Sequence, residues 1–273
     1  MANWFMAACQ PGGGIFHLAV MLRKAKYSSR VAATKRPVFE FVSDAVRPND
    51  SLSVFAFADD YSFGILQSGI HWLWFTTKCS TLKGDFRYTS DTVFDTFPWP
   101  QFASSSRRKE ALTKKPGTEM SLVTSAATIE KIRAVAEAAR ALRNLRREIM
   151  DANGWSLREL YKSLETPGEN RLRTAHAALD AAVRAAYGMK PDEDILAFLL
   201  KLNLELADKE AKGEAIMPPG LPAFVPEPES FVSRDCVRSP DDPEADGSTA
   251  KSAAEAAHYY FMAKENDPPY RTD

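Results

Sequence analysis

Phe97-Pro98-Trp99-Pro100 restricts this chain more than any other stretch. Proline fixes φ and pushes the residue before it away from the helical region. Two prolines around a tryptophan therefore make a stiff extended stop that neither a helix nor a central strand crosses. The tetrapeptide closes an aromatic-dense run from Asp59 to Gln101. There Trp72, Trp74, Phe75 and Phe97 surround a basic, hydroxyl-rich middle from Lys78 to Tyr88. Before it the patterns are strand-like, and after it they are helical.

On the N-terminal side, Arg36 to Val42 alternates, with Val38 (or Phe39) and Phe41 apolar around Glu40. Ser51 to Ala58 alternates again, with Leu52, Val54 and Ala56 on one face and Phe55 and Phe57 on the other. Arg47-Pro48-Asn49-Asp50 is turn chemistry, which predicts a hairpin or two neighbouring strands. From Tyr61 to Phe75 the period changes: Phe63, Leu66, Ile70 and Trp74 recur as one helix face would. Lys78 to Thr92 reads as loop with short strand. Residues 1–22 carry no assignable pattern beyond a flexible Gly12-Gly13-Gly14 connection. Residues 103–121, rich in serine and basic residues with a Pro-Gly pair, read as a linker.

The second half is punctuated as helices. Thr128 to Met150 places Ile132, Val135, Ala139, Leu142, Leu145 and Ile149 on one face, with Arg140, Arg143, Arg146 and Arg147 beside it. Ser156 to Glu159 is a capping box opening a short helix through Leu164. Leu172 to Tyr187 is helical and ends at Gly188, a good left-handed stop. Pro191 opens a further helix through Lys212, before Gly213. Much of the acidic, proline-rich tail after Pro222 is expected to be extended or disordered, apart from a short helix at Ala253–Lys264.

Net charge is −1, but it is unevenly spread. Residues 1–150 hold 21 Lys+Arg against 13 Asp+Glu, and residues 151–273 hold 14 against 23. A basic half is a cue for a polyanion partner, and solvated faces are the plain alternative. Three separated cysteines, Cys9, Cys79 and Cys236, suggest neither a disulfide framework nor a zinc site, so a reducing cytoplasm is expected. No signal peptide or membrane span is read.

Chemistry-bearing motifs are few. No glycine-rich phosphate loop follows a strand, and no metal-ligand spacing occurs. His17, His71, His176 and His258 are scattered and read as core or surface histidines, with His176 paired to Asp180 along a helix. Asp267-Pro268-Pro269-Tyr270 matches the tetrapeptide by which amino-methyltransferases hold an exocyclic amine. That chemistry needs it at the end of a buried strand behind a donor-binding glycine loop. Here an acidic tail precedes it and three residues follow it, so it reads as a decoy.

The basic side chains Arg30, Lys35, Arg36, Lys78, Lys83 and Arg87 mostly stand beside Ser, Thr or aromatic residues. Arginine and lysine neutralise phosphates, and arginine also bonds guanine bidentately, so such a surface suits a DNA duplex. The Trp72/Trp74 and Phe97/Trp99 sets read as core rather than stacking platforms.

Three blocks carry a resemblance: SRVAATKRPVFEFV, DDYSFGILQSGIHWLWF and STLKGDFRYTSDTVFDTFPWPQ. In order, they resemble the target-recognition region of MmeI-like DNA methyltransferases of restriction-modification systems. SLRELYKSLETPG, LRTAHAALDAAVRAAYGM and DILAFLLKLNLELADKEAKGE…PPGLP look like the helical C-terminal domain of the same family. The resemblance covers Tyr27 to Pro222. It implies adenine-N6 methylation of duplex DNA from S-adenosylmethionine, on a base flipped out of the stack. The donor loop and catalytic strand belong upstream of Tyr27, where 26 residues stand, so no catalytic or cofactor-binding residue carries over. What the resemblance transfers is recognition of double-stranded DNA on behalf of a methyltransferase core, held in cis or in trans. The chain is expected to be a C-terminal fragment, a truncated reading frame or a separately encoded specificity piece, inactive alone.

The resulting expectation is an α+β protein. A β-containing target-recognition domain (23–102) follows an unassigned segment (1–22). A linker (103–121) leads to a helical domain (122–222) and an acidic tail (223–273). The expected DNA contacts are Arg30, Lys35, Arg36, Lys83 and Arg87, with Arg140 to Arg147 as further phosphate contacts; no metal or resident cofactor is expected. The alternative is a non-catalytic scaffold whose basic face meets an acidic protein partner.

Overall fold

The computed structural model describes residues 18–21, 38–41, 53–55, 57–82, 85–102 and 126–233. Helix predominates, and the strands are short. β1 (Leu18–Met21), β2 (Val38–Phe41) and β3 (Ser53–Phe55) form an antiparallel sheet in the order β2-β1-β3. β4 (Ser80–Leu82) and β5 (Asp85–Arg87) form a separate hairpin.

The two alternating segments are thus not each other's neighbours, contrary to the sequence expectation. β1, from the stretch with no assignable pattern, lies between them and pairs Leu18 with both Phe41 and Phe55. Within β2 the alternation holds: Phe39 and Phe41 are buried, while Val38 and Glu40 are half-buried.

The periodic stretch after Asp59 forms two helices rather than one: α1 (Asp60–Gln67) and α2 (Gly69–Lys78). Asp59 caps α1 by accepting from the Ser62 amide at 2.7 Å and the Ser62 hydroxyl at 2.8 Å. Ser68 makes the break, with extended backbone (φ −68°, ψ 155°). Its hydroxyl donates to the Ile65 carbonyl at 2.7 Å and accepts from the His71 amide at 3.3 Å, so one side chain ends α1 and starts α2.

Every residue of α1 is buried. Burial of Phe63, Ile70 and Trp74 contributes about 1.5–3 kcal/mol each. Gly64 permits that depth: a Cβ there would stand 2.8 Å from Val135 Cγ1 and 3.2 Å from Ala139 Cβ.

The remaining helices are α3 (Ala126–Asn153), α4 (Leu157–Lys162), α5 (Arg171–Tyr187) and α6 (Ile195–Ala211). The capping box at Ser156 and Glu159 forms as the sequence indicates, and Gly188 closes α5 in the left-handed region (φ 72°). α6 begins four residues later than the Pro191 signal suggests, because the Asp194 carboxylate accepts from the Ala197 amide at 2.6 Å.

One apolar core runs unbroken from Phe39 through α1, α2 and Trp99 into α3, α5 and Phe231. Part of the tail after Pro222 belongs to it. Val225 and Phe231 are buried, and the Ser233 amide donates to the Ala58 carbonyl at 2.8 Å.

The proline stop is tied down from three sides. Tyr187 Oη donates to the Pro98 carbonyl at 2.8 Å, and Asn203 Nδ2 donates to the Thr96 carbonyl at 2.7 Å. Gln101 exchanges two hydrogen bonds with the Met217 backbone, at 2.9 and 3.2 Å.

Candidate nucleic-acid interface

Of the expected DNA contacts, Arg30, Lys35, Arg36 and Lys83 lie outside the described residues. Arg87 is described only as backbone: it ends β5, opposite Ser80.

β2 starts two residues after Arg36 and three after Lys35, and it is an edge strand of its sheet. Open edges expose unpaired amides and carbonyls. At Phe39 two helix side chains take the place of a neighbouring strand. The Phe39 amide donates to Gln67 Oε1 at 2.8 Å, and Arg146 donates to the Phe39 carbonyl at 2.9 Å. The strand that leads out of the basic segment is therefore fixed by α1 and α3.

The β4–β5 hairpin grows directly from the end of α2, and Tyr88 anchors its return. The Tyr88 ring packs edge-on to Phe55 and tilted on Phe75, at 5.8 and 5.3 Å. His71 Nδ1 lies 2.8 Å from the Leu66 carbonyl, which requires the proton on Nδ1. Nε2 is then the acceptor for the Tyr88 hydroxyl at 3.1 Å. Burial pushes the His71 pKa down to about 4 and that of Tyr88 well up, so this chain of bonds is neutral.

Behind β2 and α1 stands a buried arginine cluster. Asp60, fully buried at the first turn of α1, receives Arg140 Nε at 2.9 Å and Arg143 Nη1. The Arg143 guanidinium also lies over the Phe41 and Phe63 rings, at 4.4 and 5.3 Å. Arg146, only 1% exposed, bonds Tyr161 Oη as well as the Phe39 carbonyl and stands 3.6 Å from the Glu40 carboxylate. Tyr161 Oη in turn lies 3.0 Å from His176 Nε2.

Arg143 and Arg146 are thus removed from the set expected to touch phosphate. Their charges are spent inside the protein, joining α3 to α1 and β2. Arg140 is partly exposed but holds Asp60 and the Ser230 carbonyl, and Arg147 is exposed and bonds Asn144 Oδ1 at 3.1 Å. The available signal was the Arg-x-x-Arg-x-x-Arg spacing of 140, 143 and 146. It repeats at the helical interval and sits among Leu142, Leu145 and Ile149.

The aromatic sets are core, as read from the sequence. Trp74 is fully buried and donates to the Val93 carbonyl, while Phe97 and Trp99 are 4% and 3% exposed. Asp180 does more than support its own helix, since it accepts from the Gly69 amide at 2.6 Å and joins α5 to the start of α2. Asp267 to Tyr270 lie outside the described residues. Among the described residues no group of three or more His, Cys, Asp or Glu is placed to hold a metal ion. No described helix is long and apolar enough to cross a membrane.

Gly64 lies within α1 and Gly69 opens α2, and Val135 and the Asp180 carboxylate occupy the space beside them, so both are packing glycines.

Residues 29–101 match the family model described as MmeI, target recognition domain. That segment is an MmeI-like target recognition domain. Among curated proteins, the chain is 32% identical over 155 residues to DNA methyltransferase A of Bacillus subtilis (strain 168), covering 56% of this chain and 14% of that one. Among solved structures it is similar to the type IIL restriction-modification enzyme MmeI in complex with DNA, with 22% identity and a TM-score of 0.49. That match covers 72% of this chain and 22% of the other. The chain therefore spans less than a quarter of the length of each of these two proteins.

Proposed function

We propose that this chain reads the sequence of double-stranded DNA on behalf of a site-specific adenine-N6 methyltransferase of a restriction-modification system. The observation that carries the reading is the match of residues 29–101 to the MmeI target recognition domain. It is supported by the scaffold that presents both basic edges: β2, clamped by Gln67 and Arg146, and the β4–β5 hairpin, anchored through Tyr88 and His71.

On this reading Lys35 and Arg36 act from the approach to β2, Lys83 and Arg87 from the hairpin, and Arg30 from further upstream. Phosphate contacts position the module and a few side chains read base edges. α3 to α6 brace the recognition segment against a methyltransferase core, supplied in cis or in trans, in the cytoplasm. The methyl donor belongs to that core, and this chain takes no part in the transfer step.

The test is binding of duplex DNA followed by fluorescence anisotropy as salt is varied. If each of the five basic residues neutralises one phosphate, log K falls against log salt with a slope of roughly −4 to −5. The double variant Arg36→Ala/Arg87→Ala is expected to weaken binding and flatten the slope by about 2, with thermal melting unchanged. Salt-independent binding, or unchanged affinity of the variant at low salt, overturns the assignment. Preference for an acidic protein over DNA would establish the scaffold alternative instead.

A further inference from the structure

α6 is apolar on two faces, and the fold uses only one of them. Leu199 and Leu206 are buried and Phe198 is half-buried against the core. On the other side stand Ala197, Leu200, Leu204, Ala207 and Ala211, all solvent-exposed. Leu204 is 70% and Leu200 36% exposed, two of the three exposed large hydrophobic residues among those described. Their spacing of three, four, three and four residues is the seam of a two-stranded coiled coil, sustained along the whole helix. A helix that meets solvent on one side ordinarily carries polar residues there.

The composition of the seam selects its partner. We propose that α6 pairs antiparallel with α6 of a second copy of this chain, about a two-fold axis passing between Glu205 and Leu206. In that register Leu204 of one copy lies beside Ala207 of the other, and Leu200 lies beside Ala211. The two-fold repeats both pairings, so every layer sets a large side chain against a small one. Such alternation lets facing positions interdigitate, and alanine lets helix axes approach closely.

The charges beside the seam follow the same symmetry. Lys201 faces Asp208 of the other copy, offset by two residues or about 3 Å along the axis, within reach of a lysine. Asp208 faces Lys201 in return. Asn203 and Glu210 line the opposite side of the seam, and the register brings no two like charges together there. An isologous contact of this kind closes on itself as a dimer. Two leucines and two alanines per copy pair in this register, a small interface, so the association is weak and concentration-dependent.

Sedimentation velocity on the full 273-residue chain across micromolar concentrations tests this. The expected result is a shift from monomer to dimer mass as concentration rises. Leu204→Glu should hold the protein at monomer mass throughout. Leu204 is exposed, so its melting temperature should equal that of the unaltered chain. Lys201→Asp should weaken dimerisation, and Lys201→Asp combined with Asp208→Lys should restore it. A chain that stays monomeric at every concentration overturns the proposal and leaves the stripe to a different occupant, such as a methyltransferase core. A dimer indifferent to Leu204→Glu, or a charge reversal that restores nothing, overturns it equally.

Discussion

Asp60→Asn probes the junction that ties the recognition segment to the helices. Asp60 is fully buried and faces Arg143, itself 3% exposed between two phenylalanine rings, and the part-exposed Arg140. The substitution keeps shape and one acceptor oxygen but removes the negative charge, leaving Arg143 as an uncompensated buried cation. Breaking a buried pair from one side costs about 3–5 kcal/mol. Arg140 can turn to water, so the lower end applies: about 3 kcal/mol, or a fall in melting temperature of roughly 6–12 °C for a chain of this size.

Arg143→Met should cost less, because Arg140 still pairs with the Asp60 carboxylate. The double variant Asp60→Asn/Arg143→Met strands neither charge, and Arg140 retains solvent. It should fall short of the sum of the two singles by at least about 2 kcal/mol. Urea unfolding followed by the fluorescence of buried Trp74 and Trp99 measures all three. An Asp60→Asn protein within about 0.5 kcal/mol of the parent, or strictly additive singles, would refute the reasoning.

Three further outcomes follow from the same geometry. Gly64→Ala should destabilise by about 1–3 kcal/mol despite alanine's better helix propensity, since its Cβ meets Val135 Cγ1 at 2.8 Å. Val135→Ala in the same protein should recover part of that loss in a thermal melt. Gln67→Leu leaves the buried Phe39 amide without its acceptor and should cost about 1–3 kcal/mol, read by urea unfolding.

Acid should act through two opposing groups. His71, lowered from 6.5 to about 4, contributes stability that is present above pH 6.5 and lost as pH falls through 4, about 3 kcal/mol in all. Burial raises Asp59 from 3.8 to about 6, so its contribution is present below pH 3.8 and lost as pH rises through 6, again about 3 kcal/mol. The two nearly cancel in the parent. Asp59→Asn keeps a good helix cap but removes the offset, so its stability should fall more steeply between pH 6.5 and 4. Identical slopes for parent and variant would contradict this.

How much of this was legible in the sequence depended on whether the signal was local. The Ser156 capping box, the Gly188 stop and the apolar face of α3 are written within one or two helical turns, and all formed. The break at Ser68 was hidden because Phe63, Leu66, Ile70 and Trp74 keep helical spacing across it. The hydroxyl of Ser68, donating to the Ile65 carbonyl and accepting from the His71 amide, marks the break between α1 and α2. The place of β1 between β2 and β3 rests on pairings between distant segments, which a four-residue apolar run does not announce. Phe231 and Val225 were available as apolar anchors within an acidic, proline-rich stretch whose composition masked them.

The candidate site divides in the same way. Basic residues beside strands and aromatics marked the expected contacts, and four of those five residues lie outside the described ones. Arg143 and Arg146 were read as surface charge because their partners are remote in sequence: Asp60, the Phe39 carbonyl and Tyr161. A buried arginine is recognised only when the carboxylate and carbonyl that neutralise it are in view.

The most direct measurement is selection of bound sequences from a randomised duplex DNA library by the purified chain, followed by sequencing. DNA reading through residues 29–101 expects enrichment of one short motif, lost in the Arg36→Ala/Arg87→Ala protein. A bound pool indistinguishable from the starting library would contradict it.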